Sequence, residues 1–221
     1  MLPANAMKSI IDADAKALEV FLTYCKVNTI PSKRLIVRPG DPADRLYYIV
    51  AGSATISMTD EEGNDIILGY LNAGDFIGET GLFVSQSTRH VTVRSRVECD
   101  IAEISYTKLE HISANEFQPY YSDFLHALAT HISKRLHQAT RKVGHLAFMD
   151  AAGRIASALL DLCKQPDALT HPEGMQIKIS RTELGRIVGC SREMVGRVMK
   201  NMEQQGLITA KGKTIVVFGT R

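Results

Sequence analysis

Residues 180–206, SRTELGRIVGCSREMVGRVMKNMEQQG, decide the fold. Ser180, with Glu183 three positions on, forms a capping box that starts a helix. Gly189 and Cys190 interrupt it, and Ser191 is a fresh N-cap for a second helix ending at Gly206. In that second helix Met194, Val195, Val198, Met199 and Met202 recur at intervals of three and four, which predicts a buried stripe and leaves Arg192, Glu193, Arg197 and Lys200 on the open side. Arginine and lysine suit phosphates and guanine edges. A carboxylate among them is useless at a phosphate but accepts from the cytosine amino group, so the face is predicted to read DNA sequence. From these residues alone an ordinary amphipathic pair with solvated charges is the alternative.

The flanks extend the pattern. Upstream, MQIKIS is predicted as a short strand, KQPDALTHPEG as a polar loop, and RIASALLDLC as an amphipathic helix in the segment that Asp150 begins. Downstream, LITA, KGK and TIVVF predict a β-hairpin with a basic turn carrying Lys213, the wing of a winged helix, placed to touch the DNA backbone. Further upstream, from about Phe117 to Phe148, Tyr121, Leu125, Leu128, Ile132, Leu136, Ala139, Val143 and Leu146 step by three or four, mostly at heptad spacing. A stripe this long needs cover, either from a two-fold partner helix or from the chain's own domain.

From Thr29 to about Tyr106 the period changes to short apolar runs (LIV, LYYIV, ATISM, IILGYL, VTVRS, IAEIS) separated by turn signals such as PGDPAD, EEGN and NAGD. Seven of the 16 glycines fall here, which predicts an antiparallel barrel or roll with a hairpin turn at Gly63. Residues 1 to about 24 are predicted as a covering helix with Ile10, Ile11, Leu18, Val20, Phe21 and Leu22 on its apolar faces.

Charge divides the chain. Met1 to Leu136 carries 13 Lys+Arg against 17 Asp+Glu, and His137 to Arg221 carries 13 against 7. The basic half is the half with the helix pair, a nucleic-acid signal. Asp12 and Asp14 stand where a signal peptide would be apolar, and no run approaches a membrane span, so a cytoplasmic protein with no membrane partner is expected. Cys25, Cys99, Cys163 and Cys190 are scattered without metal-ligand spacing and are expected to be buried free thiols; no metal site, and no catalytic constellation around the seven histidines, is predicted. His126 and His131 are expected on the surface of the long helix.

In GDFIGETGLF, Gly74 to Phe83, the glycines at 78 and 81 let the backbone approach a ligand and present its N–H groups, as phosphate sites do. Arg89 is a candidate partner for a phosphate and Glu79 for a ribose hydroxyl. A glycine-rich turn beside an Arg89–Glu79 ion pair is the structural alternative.

These motifs, with AEISY, RKVGHLAFMDAAGRIA, KQPDALTHPEGMQIKISRTELGRIVGCSREMVGRV and GKTIVVFGTR, resemble the CRP/FNR family of bacterial transcription regulators, in its cyclic-AMP receptor branch, from about Pro31 onward. The resemblance implies an α+β chain: a cyclic-nucleotide-binding β-roll over 1–116, a dimerisation helix and hinge over 117–149, and a DNA-binding winged helix-turn-helix over 150–221. It implies a homodimer on a pseudo-palindromic operator, with Arg192, Glu193 and Arg197 at bases and Ser180, Arg181 and Ser191 at phosphates. Gly78, Glu79 and Arg89 match the family's ribose and phosphate contacts. His90 replaces the usual serine, and Ala139-Thr140 the usual hydroxyl pair on the dimer helix. Thr170, His171, Glu173 and Gly174 match a loop that touches RNA polymerase, and Lys26 and Lys108 match parts of a second polymerase patch. Cyclic AMP is the implied effector. The SANEFQPYYSDF, RPGDPA and STRHV segments are more similar to a subgroup answering to cyclic di-GMP or active without ligand.

Overall fold

Short polar side chains mark where helices begin. Ser105, Asp150, Ser180 and Ser191 each stand in extended backbone and accept a hydrogen bond from the main-chain N–H three residues ahead, satisfying one of the orphan donors of a first turn. The computed structural model describes residues 4–85 and 87–220, with side chains from residue 12 onward, so Ile10 and Ile11 lie outside the described side chains. Two compact units emerge: residues up to Ile56 with Tyr70–Gln138, and Ser57–Gly69 with Ala139–Arg221.

In the first unit a helix α1 (Ala4–Thr23) precedes two four-stranded sheets. Strands β1 (Lys26–Ile30), β8 (Cys99–Ser105), β3 (Arg45–Ala51) and β6 (Phe76–Ile77) pair antiparallel in that spatial order; β2 (Leu35–Val37), β7 (Thr92–Ser95), β4 (Ser53–Thr59) and β5 (Asp65–Asn72) form the other sheet. Strands β8, β3 and β6 of the first sheet are buried on both faces. Ile49, Ile77 and Ile101 enter one cluster inside the roll with Val37, Ala54 and Val93, whereas Leu46, Phe76 and Ile104 enter a second cluster with Phe21, Leu109, Phe124 and Leu128 of the helices and Phe117 of the turn before Gln118. Two buried faces are why LYYIV and FI read as continuous apolar runs rather than alternations. Consecutive residues point to opposite faces, so Phe76 and Ile77 anchor β6 in both clusters at once and fix the chain immediately before Gly78.

The sequence did not reveal β1 as a full strand, nor the helix α2 (Tyr106–Ser113) that follows β8. The long helix α3 spans Gln118–Phe148. Its stripe changes character along its length: Leu128 is fully buried, while Leu136 is 67% and Val143 65% exposed. His131, expected at the surface, is buried against Phe76, because it lies three residues beyond Leu128 on the inward side of the helix.

The second unit contains α4 (Ala151–Leu162), α5 (Arg181–Val188) and α6 (Arg192–Gln204), with the sheet β11-β12-β10-β9. Strand β9 (Leu169–His171), pairing with β10 (Gly174–Lys178), lies in the segment expected as polar loop; its edge position leaves Leu169 and Thr170 exposed, so it carries no apolar signal. β11 (Ile208–Lys211) and β12 (Thr214–Phe218) form the expected hairpin. The tip of the β4–β5 hairpin belongs to this unit as well. There Asp65 Oδ2 lies 2.6 Å from Arg186 Nη2, and Lys142 Nζ donates to the Ile67 carbonyl.

Candidate functional site

The glycine turn follows from β6. Gly78 has φ +92, and a Cβ there would stand 2.5 Å from Arg89 Nη1 and 2.8 Å from the Arg45 carbonyl oxygen, so no other residue fits. The next residue opens a single 3-10 turn, Glu79–Leu82. Arg89 is only 7% exposed. Its Nη2 donates to the Arg45 carbonyl and its Nη1 to the Tyr106 hydroxyl at 3.3 Å, and that hydroxyl donates to the Gly78 carbonyl at 2.7 Å. Burial raises the Tyr106 phenol, which therefore stays a donor at neutral pH.

All the fixed partners of Arg89 are neutral. Among the described residues no carboxylate lies within 4 Å of its guanidinium. The Arg89–Glu79 ion pair weighed from the sequence is replaced by another arrangement: Glu79, 5% exposed, accepts at Oε1 from Arg135 Nη1 of α3 at 2.8 Å. A buried guanidinium without a counter-charge costs free energy that an anion supplied from outside recovers. Gly78, Glu79 and Arg89 thus converge within one unit, and their arrangement fits a phosphate beside the turn with a carboxylate close by. His90 is exposed, and Ala139 and Thr140 are exposed on α3.

The second candidate surface is α5, its turn and α6. Gly189 takes the left-handed conformation at φ 66 that reverses the chain, and the Cys190 N–H returns to the Gly185 carbonyl at 3.1 Å. Gly185 is the tight point, since a Cβ there would lie 2.5 Å from the Cys190 carbonyl oxygen. Gly185→Ala is expected to force the two helices apart and lower stability by about 1–3 kcal/mol in denaturant unfolding; a change under ~0.5 kcal/mol would show that the turn yields freely.

On α6, Val195, Met199 and Met202 are buried, and Arg192, Glu193, Arg197 and Lys200 are exposed together. Met194, expected in the buried stripe, is 37% exposed: it stands at the edge of that stripe, about 100° round the helix from the fully buried Val195. A hydrogen bond to its own backbone N–H, then one with Ser191 and the nearby Arg192 and Arg197 charges, hold the Glu193 carboxyl below its ordinary range, so it presents acceptors only. Ser180 and Ser191 spend their side chains on capping. Arg181 is exposed at the start of α5, and Lys213 is exposed in the wing turn, where its carbonyl accepts from the Ile179 N–H at 2.8 Å. Arg154 of α4 donates from Nη1 to the Met149 carbonyl and from Nε to the Val188 carbonyl, both at 2.9 Å.

The polymerase candidates fall in two places. Thr170 and Glu173 are exposed at the β9–β10 hairpin and His171 is partly exposed, but Gly174 is buried by its pairing with β12, so closely that a Cβ there would strike the Val217 carbonyl. Lys26 and Lys108 are exposed on β1 and α2, with Lys108 Nζ donating to the Tyr24 carbonyl at 2.7 Å. Burial pushes the Cys25 thiol up to about 12 and raises the other three thiols, which makes all four poor nucleophiles. Cys99 and Cys163 are buried as expected, whereas Cys25 and Cys190 are only partly so. Among the described residues no helix is long and apolar enough to cross a membrane, and no His, Cys, Asp and Glu cluster suits a metal ion.

Residues 27–116 match the cyclic nucleotide-binding domain family, and residues 153–218 match the Crp-like helix-turn-helix domain family. The cAMP-activated global transcriptional regulator Vfr of Pseudomonas aeruginosa is 52% identical over 93% of this chain and 95% of its own. The cAMP-activated global transcriptional regulator CRP of Salmonella typhimurium is 52% identical over 92% and 95%. The CRP-like protein Clp of Xanthomonas euvesicatoria is 44% identical over 98% and 94%. Among solved structures, the c-di-GMP responsive global regulator CLP of Xanthomonas campestris superposes with a TM-score of 0.88 at 44% identity, covering 93% of this chain and 100% of that one.

Proposed function

We propose, for a chain that belongs to the CRP/FNR family of transcription regulators, that it binds a pseudo-palindromic operator as a homodimer under the control of cyclic AMP. The chain is a CRP-like regulator, not an enzyme, with a cyclic-nucleotide-binding domain followed by a helix-turn-helix DNA-binding domain. The observation that carries the effector reading is Arg89, a buried cation whose fixed partners are all neutral, beside a turn that admits only glycine. A cyclic nucleotide supplies the phosphate that Arg89 lacks and a ribose hydroxyl that Glu79 can accept from. Cyclic AMP is preferred because relatives at 52% identity carry it in their names.

Cyclic di-GMP is the second reading, favoured by the 0.88 superposition on a c-di-GMP responsive regulator and by His90 and Ala139 in place of hydroxyl residues. Calorimetry separates the two. Heat with cyclic AMP together with tighter operator binding supports the first. No cyclic AMP heat, DNA binding without ligand and release on adding cyclic di-GMP would replace it with the second.

The exposed Leu136 and Val143, one heptad apart on α3, support a two-fold helix partner, because a monomer gains nothing by exposing both. Occupancy then changes the populations of two settings of the 143–150 hinge, and with them the spacing of the two α6 helices. Arg192, Glu193 and Arg197 are assigned to bases; Arg181, Lys200, Lys213, Ser180 and Ser191 to the backbone. The two serines act there through the main-chain N–H groups they order. Thr170, His171 and Glu173, and separately Lys26 and Lys108, are assigned to RNA polymerase; buried Gly174 shapes its hairpin.

Arg197→Ala is expected to weaken operator binding by about 1–3 kcal/mol and to blunt discrimination at one base pair per half-site, measured against operator variants. Lys213→Ala should weaken operator and random DNA alike and make the salt slope shallower by about one unit per site neutralised. Equal weakening by Arg197→Ala on both DNAs would assign it to phosphate instead.

A further inference from the structure

His131 is 8% exposed, and no partner among the described residues hydrogen-bonds its Nε2. Two carboxylates flank the ring. Nδ1 lies 3.4 Å from Asp75 Oδ1, and Nε2 lies 3.9 Å from Glu79 Oε1, the oxygen that Arg135 already holds. The ring also packs T-shaped against Phe76 at 5.6 Å between centroids. Asp75 is fixed on its other side, where Oδ2 accepts from the Asn72 N–H at 2.7 Å. Burial pushes the Asp75 carboxyl up, but the hydrogen bonds from His131 and Asn72 and the nearby charges of His131 and Arg135 outweigh it and leave it below its ordinary value. An ionised Asp75 needs a donor, so the neutral imidazole carries its proton on Nδ1 and turns the Nε2 lone pair toward Glu79. Lone pair facing carboxylate accounts both for the 3.9 Å separation and for the unpartnered nitrogen.

We propose that His131 is a proton-dependent positioning residue of the nucleotide site, taking up a proton at Nε2 and, while keeping it, donating a hydrogen bond to Glu79 as that carboxylate's second cationic partner. The inference deepens the nucleotide reading of Arg89 and Glu79 and rests on it. With the ring neutral, Asp75, Glu79, Arg89 and Arg135 balance two negative charges against two positive; with the ring protonated the cluster carries one net positive charge. An anionic cyclic phosphate binds the second state better, so nucleotide and proton favour each other's binding. Affinity therefore rises as pH falls, and binding takes up protons. Glutamine at this position keeps a side chain able to bond Asp75 and removes the titration.

The full-length protein is titrated with cyclic AMP by calorimetry at pH 6 and pH 8, each in two buffers of different ionisation heat. The wild type is expected to bind roughly three- to tenfold tighter at pH 6, with fractional proton uptake, and His131→Gln to lose both effects; the same pH dependence in both proteins overturns the proposal. A ligand-free arm decides the contact itself. Thermal unfolding of wild type, His131→Gln, Glu79→Gln and the double variant should show His131–Glu79 coupling at pH 6 that fades by pH 8, and absence of coupling at pH 6 overturns the proposal. Coupling present with no cyclic AMP heat at either pH instead sinks the cyclic AMP reading. The same titration is then run with cyclic di-GMP, where a pH-independent affinity overturns the linkage.

Discussion

Arg89→Leu is expected to weaken the acting nucleotide by roughly 100-fold or more while leaving the melting temperature of the ligand-free protein close to that of the wild type. The two halves of this expectation share one cause. The guanidinium is buried on the Arg45 carbonyl and the Tyr106 hydroxyl with no carboxylate opposite, so removing it forfeits two hydrogen bonds but also a desolvated, unbalanced charge. An apolar replacement of similar reach is then nearly neutral for folding. Binding has no such offset, because a phosphate at the turn loses the one buried guanidinium among the described residues. Calorimetry with cyclic AMP and cyclic di-GMP, set beside a thermal melt, reads both quantities. An affinity within threefold of wild type would remove Arg89 from the phosphate's partners, and a collapse in stability would make it a structural residue.

The second large effect is expected at Phe124. Its ring is fully buried on α3, stacks on Phe21 at 4.7 Å, and meets Phe117 and Phe76 edge-on at 5.5 and 6.0 Å. It therefore joins α1, the segment before α3 and strand β6 at one point. Phe124→Ala leaves a cavity where four elements meet and should cost about 3–5 kcal/mol. For a chain of this size that corresponds to a fall of roughly 8–15 °C in the transition of the N-terminal unit. Differential scanning calorimetry identifies that transition as the one nucleotide raises. A loss below about 1 kcal/mol would mean that the helices close over the gap. Because the same ring packs on Phe76, two residues before Gly78, the variant should also weaken nucleotide binding beyond its loss of stability.

How much of this was legible in the sequence depended on whether the signal was local. The helix-turn-helix was, because capping serines, a left-handed glycine and a 3.6-residue period all act within a few positions; Ser180, Ser191 and Gly189 do what their spacing implies. Arg192, Glu193, Arg197 and Lys200 share a face for the same reason. Strand β9 and helix α2 were missed since one is an exposed edge strand and the other is only eight residues long. At the nucleotide site the residue types were legible but the pairing was not. Arg89 is the cation near Glu79 in the sequence, and only the packing of α3 on the roll selects Arg135, 56 positions away. His131 was misplaced by the same blindness, since one helical step past Leu128 is core or surface according to what lies opposite.

Arg154 gives the reading helix a mechanical property. One planar guanidinium, which does not bend, is bound to the Met149 carbonyl in the linker after α3 and to the Val188 carbonyl at the end of α5. Two points 39 residues apart in the chain are thus bolted to the same rigid plate. The linker consequently works as a crank and not as a universal joint: a rotation of its backbone turns the end of α5, and with it the turn that aims α6, through a matched angle. Rotation entering at Met149 is expected to reach Gly189 through these two hydrogen bonds, which favour the tilts of the reading head that leave both carbonyls on the plate.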